Sequence, residues 1–325
     1  MSFEGSVSRS GHTIRLHVAK IMRSPMAAVR ALLIGGLLIW AILTPSFLSM
    51  PSLTALMSTA SVIGCMAAGM TFITIGGAIM SFALGATAAA SAFVFVTILN
   101  SAGLVPALAG ALVFGALVTG LQGVLVGVIR ANPIIVSIAA NILIYGIAAW
   151  LTSNQTAYGP SDSGELFLRQ VIAGVPVEFI VFLALIALGQ FILTYTVFGR
   201  NLLLVGSGSP AADALGLAVA RTISLAYVWA GLFTAICGIL LAVRYNQGNM
   251  SLAGNYDYDA IAAVLVGGTA VQGGDGSMLR TLIGVAVISI IQVVLLLHGF
   301  DAAWRHLVTG LIVLGVIILY SGRRA

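Results

Sequence analysis

The chain has 325 residues, of which 60% are hydrophobic and 7% charged, and its formal net charge is +5. A soluble domain carries roughly 25% charged residues, so a soluble fold is excluded. Apolar stretches of about 20 residues, enough to cross a bilayer, recur from Ala27 to Tyr320 without the alternation of a membrane β-barrel.

Residues 1–27 are polar, with no small-residue cleavage site behind a short apolar core, and read as a cytoplasmic segment rather than a signal peptide. From 28 to 322 the chain reads as one transmembrane domain. The expected fold is all-α and polytopic, with about ten spans at 28–47, 53–75, 78–99, 104–128, 133–152, 176–198, 222–243, 258–272, 279–297 and 304–320. The eighth is short and rich in glycine, as a broken or re-entrant segment would be. Placing the N-terminus inside leaves Arg169, Arg244 and Arg305 outside and 11 of the 14 Lys and Arg inside (14 − 3), which satisfies the positive-inside rule with both termini cytoplasmic. The acids fall mostly outside. Cys65 and Cys237 lie mid-span and read as packing residues.

Two loops stand out. Residues 153–175 form the longest external connection and 199–221 the longest internal one. In the latter, Ser209 and Pro210 suit the cap and first turn of a short helix through Ala211, Ala212 and Leu215. A weak repeat also appears: "GMTFITIGGAIM" (69–80) and "AIAAVLVGGTAV" (260–271) each place a Gly-Gly pair late in an apolar span. Five spans per half would make the two halves inverted, a transporter pattern.

The stretch "YDAIAAVLVGGTAVQGGDGS" (258–277) raises the question of a phosphate loop. Such a loop needs a Lys and then Ser or Thr after its last Gly, whereas Gly276 is followed by Ser277 and Met278 and the nearest cation is Arg280. No enzyme constellation is present. His12, His17, His298 and His306 read as solvated loop residues. No acid lies mid-span, which argues against a proton-driven carrier; Glu178, Asp257 and Asp259 sit at predicted span ends. The neutral polar groups Thr71, Thr74, Gln122, Ser137, Asn141, Gln190 and Gln292 either join helices or line a path for an uncharged solute. Arg244 closes the seventh span and Asp257 and Asp259 open the eighth, so an ion pair at an external gate is expected.

Three motifs carry a resemblance. "GMTFITIGGAIM", "TVFGRNLLLVGSGSPAADALGLAV" (196–219) and "YDYDAIAAVLVGGTAVQGGDGS" (256–277) resemble those of the membrane permeases of bacterial ABC importers of the ribose/galactose/xylose class, over most of residues 30–320. Met80 stands where that family typically has Asp. The resemblance implies a permease subunit of an ATP-driven importer for a small sugar, in the bacterial inner membrane. Its partners would be a second permease chain, a separate ABC ATPase subunit that binds the ATP, and a periplasmic solute-binding protein; the chain itself would hold no cofactor and bind no nucleic acid. Gly199, Arg200, Ala211, Ala212, Leu215 and Gly216 would form the ATPase-coupling element. Gly76, Gly77, Asn141, Gly267, Gly268 and Thr269 would shape the helices around the path, the glycines allowing close approach and a helix break. The rival readings are a secondary carrier that works without an ATPase and, more remotely, a membrane enzyme.

Overall fold

The computed structural model describes residues 35–37, 39–160, 171–172 and 174–321. The N-terminal segment 1–27, the middle of the 153–175 loop and the last four residues lie outside that set. Among the described residues, seven helices are long and apolar enough to cross a membrane: α1 (Met50–Ile75), α2 (Leu84–Ala102), α3 (Leu104–Gly127), α4 (Pro133–Thr152), α5 (Val177–Tyr195), α8 (Val219–Tyr245) and α10 (Met278–Leu297). Between α5 and α8 lie α6 (Val197–Ser207) and α7 (Ser209–Ala214), and α9 (Tyr256–Gly267) and α11 (Ala302–Ser321) flank α10. Residues 35–37 and 39–43 are also helical. The chain is thus a multi-pass, mostly helical membrane protein, with span edges close to those expected from hydropathy.

Helix α1 is the centre of the bundle, buried almost without interruption from Ala60 to Ile75 and packed on α8, α9, α10 and α5. Its start is set by Ser49, whose hydroxyl accepts the Ser52 N–H, and by Pro51 in the first turn. Backbones approach closely where α3 meets α8. Gly115, Thr119, Gly123 and Gly127 recur every fourth residue on one face of α3. A Cβ at Gly231 of α8 would lie 1.9 Å from Thr119 Oγ1 and 2.3 Å from the Gly115 carbonyl oxygen. Lipid tails are as apolar as leucine, so such shape fit, rather than exclusion from water, holds membrane helices together. Helix α4 is the opposite case: Ser137 is its one buried residue, while Ile135, Ile142 and Trp150 point outward.

Short strand pairs tie the connections. β1 (Ala157–Tyr158) pairs antiparallel with β4 (Gln247–Gly248), joining Ala157 to Gly248 and Tyr158 to Gln247. β2 (Val171–Ile172) and β3 (Val175–Pro176) form a small hairpin.

Two elements depart from the sequence expectation. The third predicted span begins at Leu84 instead of 78, because Gly77 takes φ +85° and residues 78–83 leave the helix. The eighth predicted span shrinks to α9, a helix of 12 residues, about 18 Å at 1.5 Å per residue and too short to cross a bilayer core of about 30 Å. Gly268, at φ +93°, ends it in the left-handed conformation that glycine adopts freely.

Candidate functional site

Two helix starts meet within the bundle. Helix α2 begins at Leu84 with no capping side chain of its own; Ala83 precedes it. The cap comes from the first turn of α9: Asp257 accepts the Gly85 N–H. A carboxylate there satisfies a donor that helix geometry leaves free and lies at the positive end of the helix dipole. Asp259, two residues on, faces the other way. Its carboxylate accepts from Gln292 Nε2 of α10 at 3.1 Å, and the same Nε2 lies 3.3 Å from Thr309 Oγ1 of α11. Both acids are buried, 7% and 4% exposed, so each carboxylate depends on these partners for the hydrogen bonds that water would have supplied.

Tyr258, between the two acids, faces a cavity of about 460 Å³. The lead-in to α2 supplies Met80 and Phe82, α9 and its cap supply Asn255, Tyr258 and Ile261, and α11 supplies His306, Thr309 and Gly310. The rings of Phe82 and Tyr258 lie 6.3 Å apart, and Asn255 Nδ2 is 3.5 Å from His306 Nε2. One wall is aromatic and aliphatic; the other presents an amide, an imidazole and a hydroxyl.

A second centre is a junction of glycines. Helix α1 ends at Gly76 and Gly77, the last turn of α6 contains Gly206, and the loop after α9 carries Gly273, Gly274 and Gly276. The Gly274 N–H donates to the Ile75 carbonyl at 2.9 Å. A Cβ at Gly206 would fall 1.8 Å from that same carbonyl oxygen, and one at Gly273 would fall 2.6 Å from Gly77 Cα. Only residues without a side chain let three backbones cross at this distance. From the junction the chain runs through Gly208 into α7. A cleft of about 640 Å³ separates α7 from the α3–α4 turn, walled by Gly76, Gly77, Arg130, Ser209, Pro210 and Asp213.

The structure sorts the sequence candidates. Gly76 and Gly77 lie at the junction. Gly267 packs against α10, where its Cβ would meet the Arg280 carbonyl at 2.2 Å; Gly268 breaks α9, and Thr269 is buried behind it. Gly199 closes the α5–α6 corner, its N–H on Thr196 Oγ1, and Arg200 is exposed beside it. The helix expected after Ser209 is present as α7, but Gly208 occupies its N-cap and Ser209 lies inside, its hydroxyl on the Val205 carbonyl. Ala211, Leu215 and Gly216 face outward, whereas Ala212 is buried at 2% exposure. Asn141 acts as a tether, its Nδ2 donating to the Phe82 carbonyl. The other mid-span polar groups also join helices or bond within them: Thr71 meets Thr281 at 2.7 Å, and Gln190 accepts the Met278 N–H at 3.0 Å.

At the expected gate pair, Asp257 accepts from the Gly85 N–H and Asp259 from Gln292. The sequence reading placed the start of α2 six residues too early, which hid the bare helix end that recruits Asp257. It also took His306 for a solvated residue, whereas His306 sits half-buried on α11 beside Asn255. Phe82, Asn255, Tyr258, Thr309 and Gly206 carried no signal of their own, because what unites them is a contact between distant segments.

Comparison with known proteins gives a consistent result. Residues 52–317 match the family described as "Branched-chain amino acid transport system / permease component". The chain is 30% identical over 303 residues to the ribose import permease protein RbsC of Bacillus subtilis (strain 168), covering 87% of this chain and 88% of that one. It is 40% identical over 161 residues to the probable ABC transporter permease protein YphD of Escherichia coli (strain K12), a match spanning 49% of this chain and 48%, about half, of the relative. It is 32% identical over 206 residues to the autoinducer 2 import system permease protein LsrC of Klebsiella pneumoniae, covering 63% of this chain and 60% of the relative. No solved structure matches.

Proposed function

The chain belongs to the transport-system permease-component family, and from that membership we propose that it is the permease subunit of an ATP-driven ABC importer, forming the path for a small sugar or sugar-like solute across the bacterial inner membrane. The observation that carries the reading is the likeness to a ribose import permease over nearly the full length of both chains. The broken helices add physical support. A polar solute crossing a bilayer needs hydrogen-bonding groups at depth, and interrupted helices supply them where they line a cavity.

In this reading the chain has ten spans in two inverted halves, with both termini and α7 on the cytoplasmic side. Each Gly-Gly pair of the weak repeat ends its helix with a second glycine at positive φ, Gly77 and Gly268, which favours a common origin for the two halves. A separate ATPase binds and hydrolyses ATP and docks on α7 through Ala211, Leu215 and Gly216, with Arg200 at the border. A second permease chain completes the membrane unit, and a periplasmic binding protein delivers the solute. The test is affinity purification of the tagged chain in mild detergent, followed by reconstitution in vesicles. A soluble ATPase should copurify in stoichiometric amount, and uptake should require ATP. Uptake by the lone chain without ATP would overturn the reading.

A further inference from the structure

The family description names branched-chain amino acids, while the relatives' names include ribose and autoinducer 2. These solutes differ in one decisive respect: an amino acid carries a carboxylate. A site for it needs a cation or an uncapped helix N-terminus, where free N–H groups and the dipole hold an anion. The cavity between the α2 lead-in, the first turn of α9 and α11 has the helix ends but offers neither. The α2 end is taken by Asp257 through Gly85 N–H. The α9 end has Asp257 and Asp259 in its own first turn. Among the described residues lining the cavity there is no Lys, Arg, Asp or Glu. Arg305, outside the lining, acts electrostatically on Asp259. What remains for a solute is the ring face of Tyr258 beside Phe82 and the neutral donors and acceptors of Asn255, His306 and Thr309.

The geometry points to this cavity as a subsite for an uncharged, hydroxyl-rich ring, with Tyr258 and Asn255 as specificity-determining contacts and with Asp257 and Asp259 barring carboxylate solutes. An aromatic wall opposite a few fixed polar groups is how pockets orient such ligands. The C–H face of a sugar ring lies on the aromatic side and its hydroxyls reach the amide, imidazole and threonine. The two buried acids serve twice: they tie α9 to α2 and to α10, and they place negative charge at both helix ends where a carboxylate would otherwise bind.

The inference rests on the permease reading, and its test is arranged to fail separately. The full chain in lipid nanodiscs, without ATP, is probed by saturation-transfer NMR with D-ribose, D-galactose, D-galacturonate and L-leucine. At least one of the two sugars should receive saturation, and galacturonate and leucine should not. Tyr258→Ala should cost about tenfold in sugar affinity, as truncating an aromatic anchor does; Tyr258 is 55% exposed, so the fold is kept. Asp257→Ala, which frees the Gly85 N–H at the start of α2, should let galacturonate bind. Signal from neither sugar, leucine binding as well as the better sugar, or sugar binding unchanged by both Tyr258→Ala and Asn255→Ala overturns the subsite. Failure of the permease reading would appear instead as uptake that needs no ATP.

Discussion

Asp257 reaches across 172 residues of chain to accept the backbone N–H of Gly85, so a carboxylate in one broken helix caps the start of another. Losing a helix cap costs about 0.5–2 kcal/mol, and here the cap also joins two elements. Asp257→Ala should therefore lower the thermal midpoint of the detergent-solubilised protein clearly more than Asp257→Asn. Equal midpoints for the two variants would show that the contact is not a stabilising cap.

Close backbone crossings predict which glycines tolerate a methyl group. At Gly284 a Cβ would lie 1.8 Å from the Ala263 carbonyl oxygen, and at Gly206 the same distance from that of Ile75. Gly284→Ala and Gly206→Ala should each destabilise by about 1–3 kcal/mol, the usual cost of overpacking. Gly146 of α4 has nothing within 4 Å of its Cβ position, and Gly146→Ala should be neutral or stabilise by up to ~1 kcal/mol through helix propensity. Fluorescence-detected size-exclusion after heating separates the two groups.

The exposed and buried sides of the α7 loop should respond differently. Leu215 is 75% exposed, so Leu215→Asp should leave the midpoint unchanged and weaken copurification of the ATPase. Ala212 is 2% exposed, so Ala212→Arg should lower the midpoint before any partner is added, because burying an unpaired charge is costly. Gly216 sits at φ +77°, where a side chain costs about 1–2 kcal/mol, so Gly216→Trp mixes strain with any effect on docking. Leu215→Asp is accordingly the cleaner probe.

Sidedness can be read with thiol labels. Cys65 and Cys237 are both fully buried, so the wild-type chain should stay unlabelled in intact membranes. Tyr158→Cys and Leu215→Cys, at positions 69% and 75% exposed, should label from opposite faces, the first from the outside. Labelling of both from one face would overturn the ten-span orientation.

Hydropathy alone placed most helix ends within a few residues, because a 20-residue apolar run between polar turns has few alternatives in a bilayer. It failed where the backbone leaves the helix inside an apolar stretch. Residues 78–83 are as apolar as the helix expected there, and only the positive φ of Gly77 reveals the break. The role of glycine as a breaker and a close-contact residue was readable at Gly267 and Gly268, since both effects are local to a helix. The meeting of Gly77, Gly206 and Gly273 was not, since none of these positions signals its distant neighbours. The same limit applies to the cavity. Tyr258 and Asn255 adjoin acids that drew attention as partners of Arg244, yet those acids turn to Gly85 and Gln292.

The glycine junction also sets an order of events during synthesis. Ile75 and Gly206 are made before the loop bearing Gly273 and Gly274, which follows only after α9. Until then Ile75 lacks the N–H of Gly274, and Gly206 lacks the strand of backbone that packs against it. The α6–α7 loop therefore reaches its final shape late, when most of the helices are already in the membrane. A partner that required the completed junction would engage only chains made past Gly274.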